Sequence, residues 1–483
     1  MNILEFIFFL QLNIIFSKSK LISVFTLNRH GTRAPITIDS DLKDYFGNFW
    51  PNKGKLTSYG ERMLYILGIH KRYKYLNNID FLNKTCDPHE IYFFSSNYER
   101  TIMSAQSQIL GLCSNSFNDK IIDKNLVNIT YPPIPLNNNN NLMKEIEELN
   151  KEKFSLPNGI NLLPVHISDQ SEGKFLITMT PKCRKVYRKL LDYNLKNHIK
   201  LLEMEKIFNG LYRDIFNKLH NENKYYNFHE IFDITDQYIT SLYDGKNVNE
   251  VLKKNNIDPE EFLTLSHKIH YYFILYYLFG DEKGEGYKLE VSLLLRDAVN
   301  HIKNNIYSDI TGENKKIKTT YDNPKFMIGN GHDSTIMGIE LFINEAFQLS
   351  KDIYSNVIDI SYAGSLTFEV IRDNKQKSIF DVSNYFIDYY INDQLIKRFN
   401  FTGFTQVIEQ YAWTEEKIDE YCSVENYVLK EEVKVLKNII IILISCIVVC
   451  VFLLYNNHRT TKKTGTKGHS KKDLFLHHND NKA

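Results

Sequence analysis

Leu27 to Pro35 reads Leu-Asn-Arg-His-Gly-Thr-Arg-Ala-Pro and sets one imidazole, His30, between two guanidinium groups, Arg29 and Arg33. An imidazole nitrogen can attack phosphorus covalently, and guanidinium forks match the three phosphoryl oxygens that do not react. Gly31 is expected where the chain turns sharply beside a bulky anion. Five fixed positions (Arg29, His30, Gly31, Arg33, Pro35), each at about 5% usage, coincide by chance on the order of once in ten thousand chains of this length. A structural histidine at the end of a strand is the plainer alternative, and those odds weigh against it. A second string, Gly331-His332-Asp333, is weak alone, since three residues arise by chance in about one chain in twenty. Its weight comes from its place behind an apolar strand and from the company of the first string.

The elements that must position these groups are legible from the patterning. Leu21 to Leu27 is an apolar, β-branched run and predicts a strand that delivers His30 at its end. Leu56-Thr57-Ser58-Tyr59-Gly60 opens an amphipathic helix that Thr57 can cap. Ile91 to Phe94 predicts a short buried strand, followed by the polar turn Ser95-Ser96-Asn97-Tyr98-Glu99-Arg100-Thr101 and a helix from Ile102 to Leu112. That order puts Arg100 at the carboxyl end of a strand, the crevice where open parallel sheets bind ligands. Phe326-Met327-Ile328 predicts the strand before His332, with Ser334 and Thr335 poised to start a helix. Strands are also expected at 356–360, 364–371 and 394–399.

Between Ser114 and Tyr321 the pattern changes. Asn137 to Asn141 is a polar, low-complexity tract expected as a surface loop. Helical runs follow at 181–201, 207–219, 227–243, 249–254 and 259–279. The aromatic stretch His270 to Phe279 is expected to pack in a core, because its apolar positions cover most of a helix. Tyr287 to Ile306 predicts a helix that returns the chain to the sheet. A helical block inserted between the strands of an α/β unit has the form of a cap, the kind of element that selects substrate.

Arg-His-Gly-x-Arg-x-Pro at 29–35, Ser-Ser-x-x-x-Arg-Thr-x-x-Ser-Ala at 95–105, Gly-His-Asp at 331–333 and Ala-x-Ser at 363–365 follow one another in order. Together they resemble the histidine acid phosphatase branch of the histidine phosphatase superfamily. The resemblance implies an α/β fold with a central mixed, mostly parallel sheet flanked by helices, an inserted α-helical cap domain and one C-terminal transmembrane helix. It implies an acid phosphatase acting on phosphate monoesters, with His30 and Asp333 catalytic, as nucleophile and proton donor, and Arg29, Arg33, Arg100 and His332 binding phosphate. Neither cofactor nor metal is expected, since three arginines with His332 supply the charge that a metal pair supplies elsewhere.

The chain has 483 residues, 43% hydrophobic and 24% charged, which suits a globular protein with a sizeable core. Its net charge of +1 hides an asymmetry: from Arg459 onward seven Lys or Arg face two Asp, a local +5 that leaves −4 for the rest. No nucleic-acid surface is expected. Residues 1–19 fit a secretory signal peptide, although Glu5 stands where Lys or Arg is usual. Ile439 to Tyr455 is an uncharged apolar run followed by basic residues, as in a membrane span whose tail lies in the cytoplasm. The expected division is a phosphatase core at 20–113 and 322–412, a mostly helical cap at 114–321, a membrane-proximal segment at 413–437, a transmembrane helix at 438–456 and a cytoplasmic tail at 457–483.

That topology places the catalytic region in a lumen or outside the cell, in a lysosome-like vacuole or at the surface. Cys86, Cys113, Cys183 and Cys422 would meet an oxidising compartment and allow three pairings, of which Cys86 with Cys113 and Cys183 with Cys422 is favoured. Asn83, Asn128 and Asn400 head glycosylation sequons. The expected partners are small phosphate monoesters, with phosphoproteins and a homodimer also admitted. Two other readings stay open: a phytase or inositol-polyphosphate phosphatase, and a catalytically inactive membrane-anchored ectodomain. The first ranks second because the inserted region mixes acidic and basic residues.

Overall fold

The structure, a computed structural model, describes residues 19–37, 52–77, 81–114, 140–152, 160–167, 181–280, 285–312, 323–349, 361–373, 381–423 and 436–453, with isolated positions between 123 and 156. Seven strands, β1 (Lys20–Arg29), β2 (Ile91–Ser95), β3 (Val165–Ile167), β4 (Phe326–Gly331), β5 (Ser365–Arg372), β6 (Tyr385–Ile391) and β7 (Gln394–Asn400), form one mixed sheet in the order β3-β2-β4-β1-β5-β6-β7. β3, β2, β4 and β1 run parallel, and β5, β6 and β7 continue the sheet antiparallel. Arg29 pairs with Gly331 and Ser95 with Asn330, so three carboxyl ends carrying chemistry meet at one sheet edge.

The period-two pattern of the strands divides their side chains between two apolar layers. Phe326 and Ile328 lie with Val24, Ile91 and Phe93 against Ala105, Ile109 and Leu112 of α2 (Glu99–Leu112). Met327 lies with Phe25, Leu27 and Phe368 on the opposite side, closed by α9 (Gly286–Thr311), α10 (Asp333–Phe347) and α11 (Phe401–Tyr411). α1 (Ser58–Lys71) begins where expected, with Thr57 accepting the Gly60 N–H at 3.2 Å.

The inserted stretch holds α3 (Asn140–Leu149), α4 (Pro181–Asn197), α5 (Ile199–His220), α6 (Phe228–Tyr243), α7 (Val248–Lys254) and α8 (Pro259–Tyr272). Phe208, Phe216, Ile231, Tyr238, Phe262 and Ile269 give α5, α6 and α8 a hydrophobic core of their own. A capping box of Asn227 with Glu230 starts α6, and Asp258 with Pro259 starts α8.

Several elements differ from their sequence signals. β3 lies within 114–321, yet it extends the sheet beside β2. Asn140 and Asn141, expected in a surface loop, open α3, and the rest of that tract lies outside the described residues. α2 begins at Glu99, so Arg100 sits in its first turn. β6 escaped notice between two strand signals, although it supplies both neighbours' pairing. The strand expected at 356–360 and the signal peptide lie outside the described residues. The aromatic run leaves α8 as a π-helical turn, Phe273–Leu278, and packs Phe273 on Phe232 at 3.8 Å between ring centroids.

Leu436–Leu453, taken by itself, is one helix with a mean hydropathy of 2.8, long and apolar enough to cross a membrane. Cys86 and Cys113 form a disulfide across a Cα separation of 5.8 Å, and Cys183 and Cys422 are also disulfide-bonded. Asn83 and Asn400 are exposed, while Asn128 lies outside the described residues. The Cys86–Cys113 bond closes a 27-residue separation at the base of β2. Replacing both by serine is expected to lower unfolding stability by about 3 kcal/mol, read as a lower urea midpoint; an unchanged midpoint would contradict this.

Candidate active site

His30 follows the last residue of β1 and is held through its main chain on both sides. Its N–H donates to the Gly331 carbonyl at 3.0 Å, and its own carbonyl accepts the Ala363 N–H at 3.2 Å. The side chain is 3% exposed, and its Nδ1 lies 2.8 Å from the Gly31 carbonyl oxygen. A carbonyl only accepts, so the proton resides on Nδ1 and Nε2 carries the lone pair. Burial, followed by Arg100, His332, Arg29 and Arg33, pushes the imidazole well below its usual range. That shift favours the neutral ring.

Gly31 has a different reason from the one its position suggests. A Cβ there would meet the Gly60 carbonyl oxygen at 2.3 Å, because the start of α1 docks directly against the loop. The Gly31 N–H also donates to Ser104 Oγ of α2 at 3.2 Å, tying the first string to the second.

Around His30 the structure gathers all five of the other expected groups. His332 presents its ring 5.6 Å from that of His30 at a steep angle. Arg29 Nη2 forms an ion pair with Asp333 Oδ2 at 2.7 Å, and its guanidinium lies 4.1 Å above the Tyr362 ring. Arg33 is gripped in a bidentate pair with Asp236 at 3.0 and 2.8 Å, leaving its buried Nε without a partner among the described residues. Arg100 lies 4.6 Å from the Tyr98 ring centroid and 3.5 Å, Nη2 to Nδ1, from His332, and its Nε is likewise buried without a partner. Burial and the neighbouring Arg33 push Arg100 down to about 10.

Asp333 starts α10 and accepts the Ser334 N–H at 2.9 Å. Burial alone would raise its carboxyl, but Arg29, with His332, Arg33 and His270 behind it, holds it below the ordinary carboxylate range. Burial and Arg100 likewise push His332 down. His30, Arg33, Arg100, His332 and Asp333 line one cavity of about 320 Å³. Its remaining wall includes Tyr187, Phe232, Phe273, Ile274 and Leu278, so part of the aromatic run, which packs in the core as expected, also reaches the site.

Sequence reasoning overlooked Asp236, Tyr362, Ser96 and His270. Asp236 lies on α6 between Thr235 and Gln237, with Asp233 one turn before it, so nothing in the local sequence singles it out. His270, on α8, has a buried Nε2 with no partner among the described residues and is pushed down to about 4 by burial. Among the described residues no group of three His, Cys, Asp or Glu is placed to hold a metal ion.

The family description "Histidine phosphatase superfamily (branch 2)" matches residues 20–392, more than three quarters of the chain. The chain belongs to that superfamily branch. It is 34% identical over 110 residues to the lysosomal acid phosphatase of Xenopus laevis, covering 22% of this chain and 23% of that protein. It is equally similar, over 112 residues, to the lysosomal acid phosphatase of Homo sapiens, covering 23% and 24%. The matched segments thus span about a quarter of these curated relatives. In fold it is similar to the phytase from Citrobacter braakii, with a TM-score of 0.54 and 14% identity over 84% of this chain and 100% of the other. The Hafnia alvei phytase in complex with myo-inositol hexakis sulphate gives 0.51 and 14% over 82% and 98%. At such identity the likeness concerns architecture alone.

Asp236 is the cap's anchor on the site, 1% exposed against an Arg33 that is 5% exposed. Removing one partner of such a pair strands a buried charge, so Asp236→Ala is expected to cost about 3 to 5 kcal/mol in denaturant unfolding. Burial raises the Asp236 carboxyl, but Arg33 overrides it and the net shift is downward. The stabilisation is therefore present above the unfolded carboxyl pKa of about 4 and is lost only as pH falls through the lower folded value. The difference between the two proteins should persist at about pH 5 and shrink below about pH 3; a difference already gone at pH 5 would contradict the pairing.

Proposed function

We propose that this chain is an acid phosphatase that hydrolyses phosphate monoesters through a phosphohistidine on His30. The observation that carries the reading is the His30 tautomer: Nδ1 is committed to Gly31, so the lone pair on Nε2 belongs to a cavity walled by Arg33, Arg100, His332 and Asp333. Family membership and the lysosomal acid phosphatase relatives support it.

In the proposed cycle Nε2 attacks phosphorus in line, the bond to the leaving oxygen breaks, and Asp333 gives that oxygen its proton. Arg29, Arg33, Arg100 and His332 surround the non-reacting oxygens, where charge is spread in the transition state. Water then attacks the phosphohistidine, Asp333 takes its proton, the N–P bond breaks and phosphate leaves. Asp333 can act as the acid only once the phosphoryl dianion offsets Arg29 and its neighbours, which raises the carboxyl back toward the working pH. His30 needs no such help, being neutral already.

A specific observation keeps a phytase-like substrate in view. α4 opens with Lys182, Arg184, Lys185, Arg188 and Lys189, a basic run that weakens the ground on which this reading ranked second, and Tyr187 from the same turns lines the cavity. Comparing phytate with a simple monoester separates the two. The disulfides and the apolar helix support a catalytic region in a lumen or outside the cell, anchored through Leu436–Leu453.

With a monoester such as para-nitrophenyl phosphate assayed from about pH 4 to about pH 9, turnover should be greatest in the acid half and fall as Asp333 loses its proton. His30→Ala should reduce phosphate release by at least about a thousandfold with the protein still folded. A maximum in the alkaline range, or near-normal release by His30→Ala, would refute the mechanism. Absence of turnover in the intact chain would favour an inactive ectodomain.

A further inference from the structure

Ser96 and Thr101 belong to the string at 95–105, yet the proposed cycle uses only its arginine. Both side chains are fully buried beside the cavity. Ser96 Oγ lies 3.0 Å from His332 Nε2 and 2.9 Å from Thr101 Oγ1. Thr101 Oγ1 in turn reaches the carbonyl oxygens of Ser96 at 2.9 Å and Tyr98 at 2.8 Å. At the other edge of the ring, His332 Nδ1 faces Arg100 Nη2 at 3.5 Å.

One assignment of protons fits this series, with the single Thr101 proton serving one of its two carbonyl neighbours. A carbonyl can only accept and a guanidinium can only donate. Thr101 therefore spends its single hydroxyl proton on a carbonyl, which leaves its oxygen to accept from Ser96. Ser96 then accepts from His332, placing the imidazole proton on Nε2. Nδ1 is left with a lone pair toward Arg100, where a donor awaits it. The opposite assignment would set an N–H against the guanidinium N–H.

We propose that Ser96, seated by Thr101, is a positioning residue for anion recognition: it holds the His332 proton on Nε2 and so turns the Nδ1 lone pair to Arg100, which fixes that guanidinium as the anion-binding donor. Two further contacts leave the ring and the guanidinium little other freedom. Tyr98 meets the His332 ring edge-on at 5.1 Å and carries Arg100 on its face at 4.6 Å. Ser96 is itself fixed to the sheet, its N–H donating to the Asn330 carbonyl at 3.3 Å. The inference rests on the proposed function in taking the anion to be a phosphoryl group, but its test does not require turnover.

The test is calorimetric titration of inorganic phosphate into the full-length chain in detergent, beside steady-state kinetics with para-nitrophenyl phosphate. Ser96→Ala is expected to weaken phosphate about tenfold and raise KM in proportion, with kcat changed less than about threefold, whereas Ser96→Thr keeps the hydroxyl and stays within about threefold of the parent. In a His332→Ala background the same Ser96→Ala change should move phosphate affinity less than about twofold, because its route of action is gone. Unchanged affinity in Ser96→Ala, or an undiminished loss in the His332→Ala background, overturns the proposal. Should Ser96→Ala lose cooperative unfolding, the near-isosteric Thr101→Val decides in its place. It is expected to weaken phosphate at least about threefold, and an unchanged value overturns the proposal. If the parent binds phosphate but never turns over the ester, the proposed function fails while the role of Ser96 is still decided by binding.

Discussion

Three guanidinium groups drawn to one sheet edge, two of them lining the same cavity, repel one another and lose hydration, and much of what surrounds them offsets that cost. Asp236 meets Arg33 with both oxygens, and Asp333 and the Tyr362 ring take Arg29 from two sides. Among the described residues Arg100 meets an aromatic face and an imidazole, and burial with the neighbouring Arg33 lowers its pKa. With His30 and His332 neutral, Arg29, Arg33 and Arg100 outnumber Asp236 and Asp333 by one charge. Glu290, pushed up to about 7 by burial, adds no negative charge in acid. That excess leaves room for an anionic group, and the buried Nε atoms of Arg33 and Arg100, without a partner among the described residues, are donors such a group could meet.

The sheet makes this concentration affordable in geometric terms. Parallel neighbours end together, so His30 after β1, Ser96 after β2 and His332 after β4 arrive at one edge without long excursions. The helices that follow β2 and β4 begin at the site, which puts Arg100 and Asp333 in first turns, each pointing back toward the strands. The helical cap then reaches the same point through Asp236 and His270. Arg33 is thereby shared between the core, which carries it, and the cap, which neutralises it.

Much of this was legible in the residues. The strings at 29–35 and 331–333 marked two imidazoles, a carboxyl and two guanidinium groups that the structure brings together, because such residue types at fixed spacing are rare, and the apolar runs before them marked their strands. What could not be read were partners set by tertiary packing. Nothing local to Asp236 points to Arg33, and nothing around Tyr362 announces that its ring will carry Arg29. Gly31 was expected to make room for an anion, and the close approach seen there is that of Gly60 at the start of α1. β6 was missed because Tyr385 to Ile391 is buried on both faces at most positions and shows little alternation. The aromatic run at 270–279 was half understood: its rings pack, as the pattern demands, yet the π-helical turn brings Phe273, Ile274 and Leu278 to the cavity.

The central claim is that phosphorus is transferred to His30 before water receives it. Rapid alkaline quenching of the full-length protein during turnover of a ³²P-labelled monoester, followed by peptide mapping, examines that step directly. The account predicts a base-stable, acid-labile label confined to the peptide containing His30. Label on a serine, threonine or aspartate peptide, or rapid turnover with no label trapped on any histidine, would contradict it.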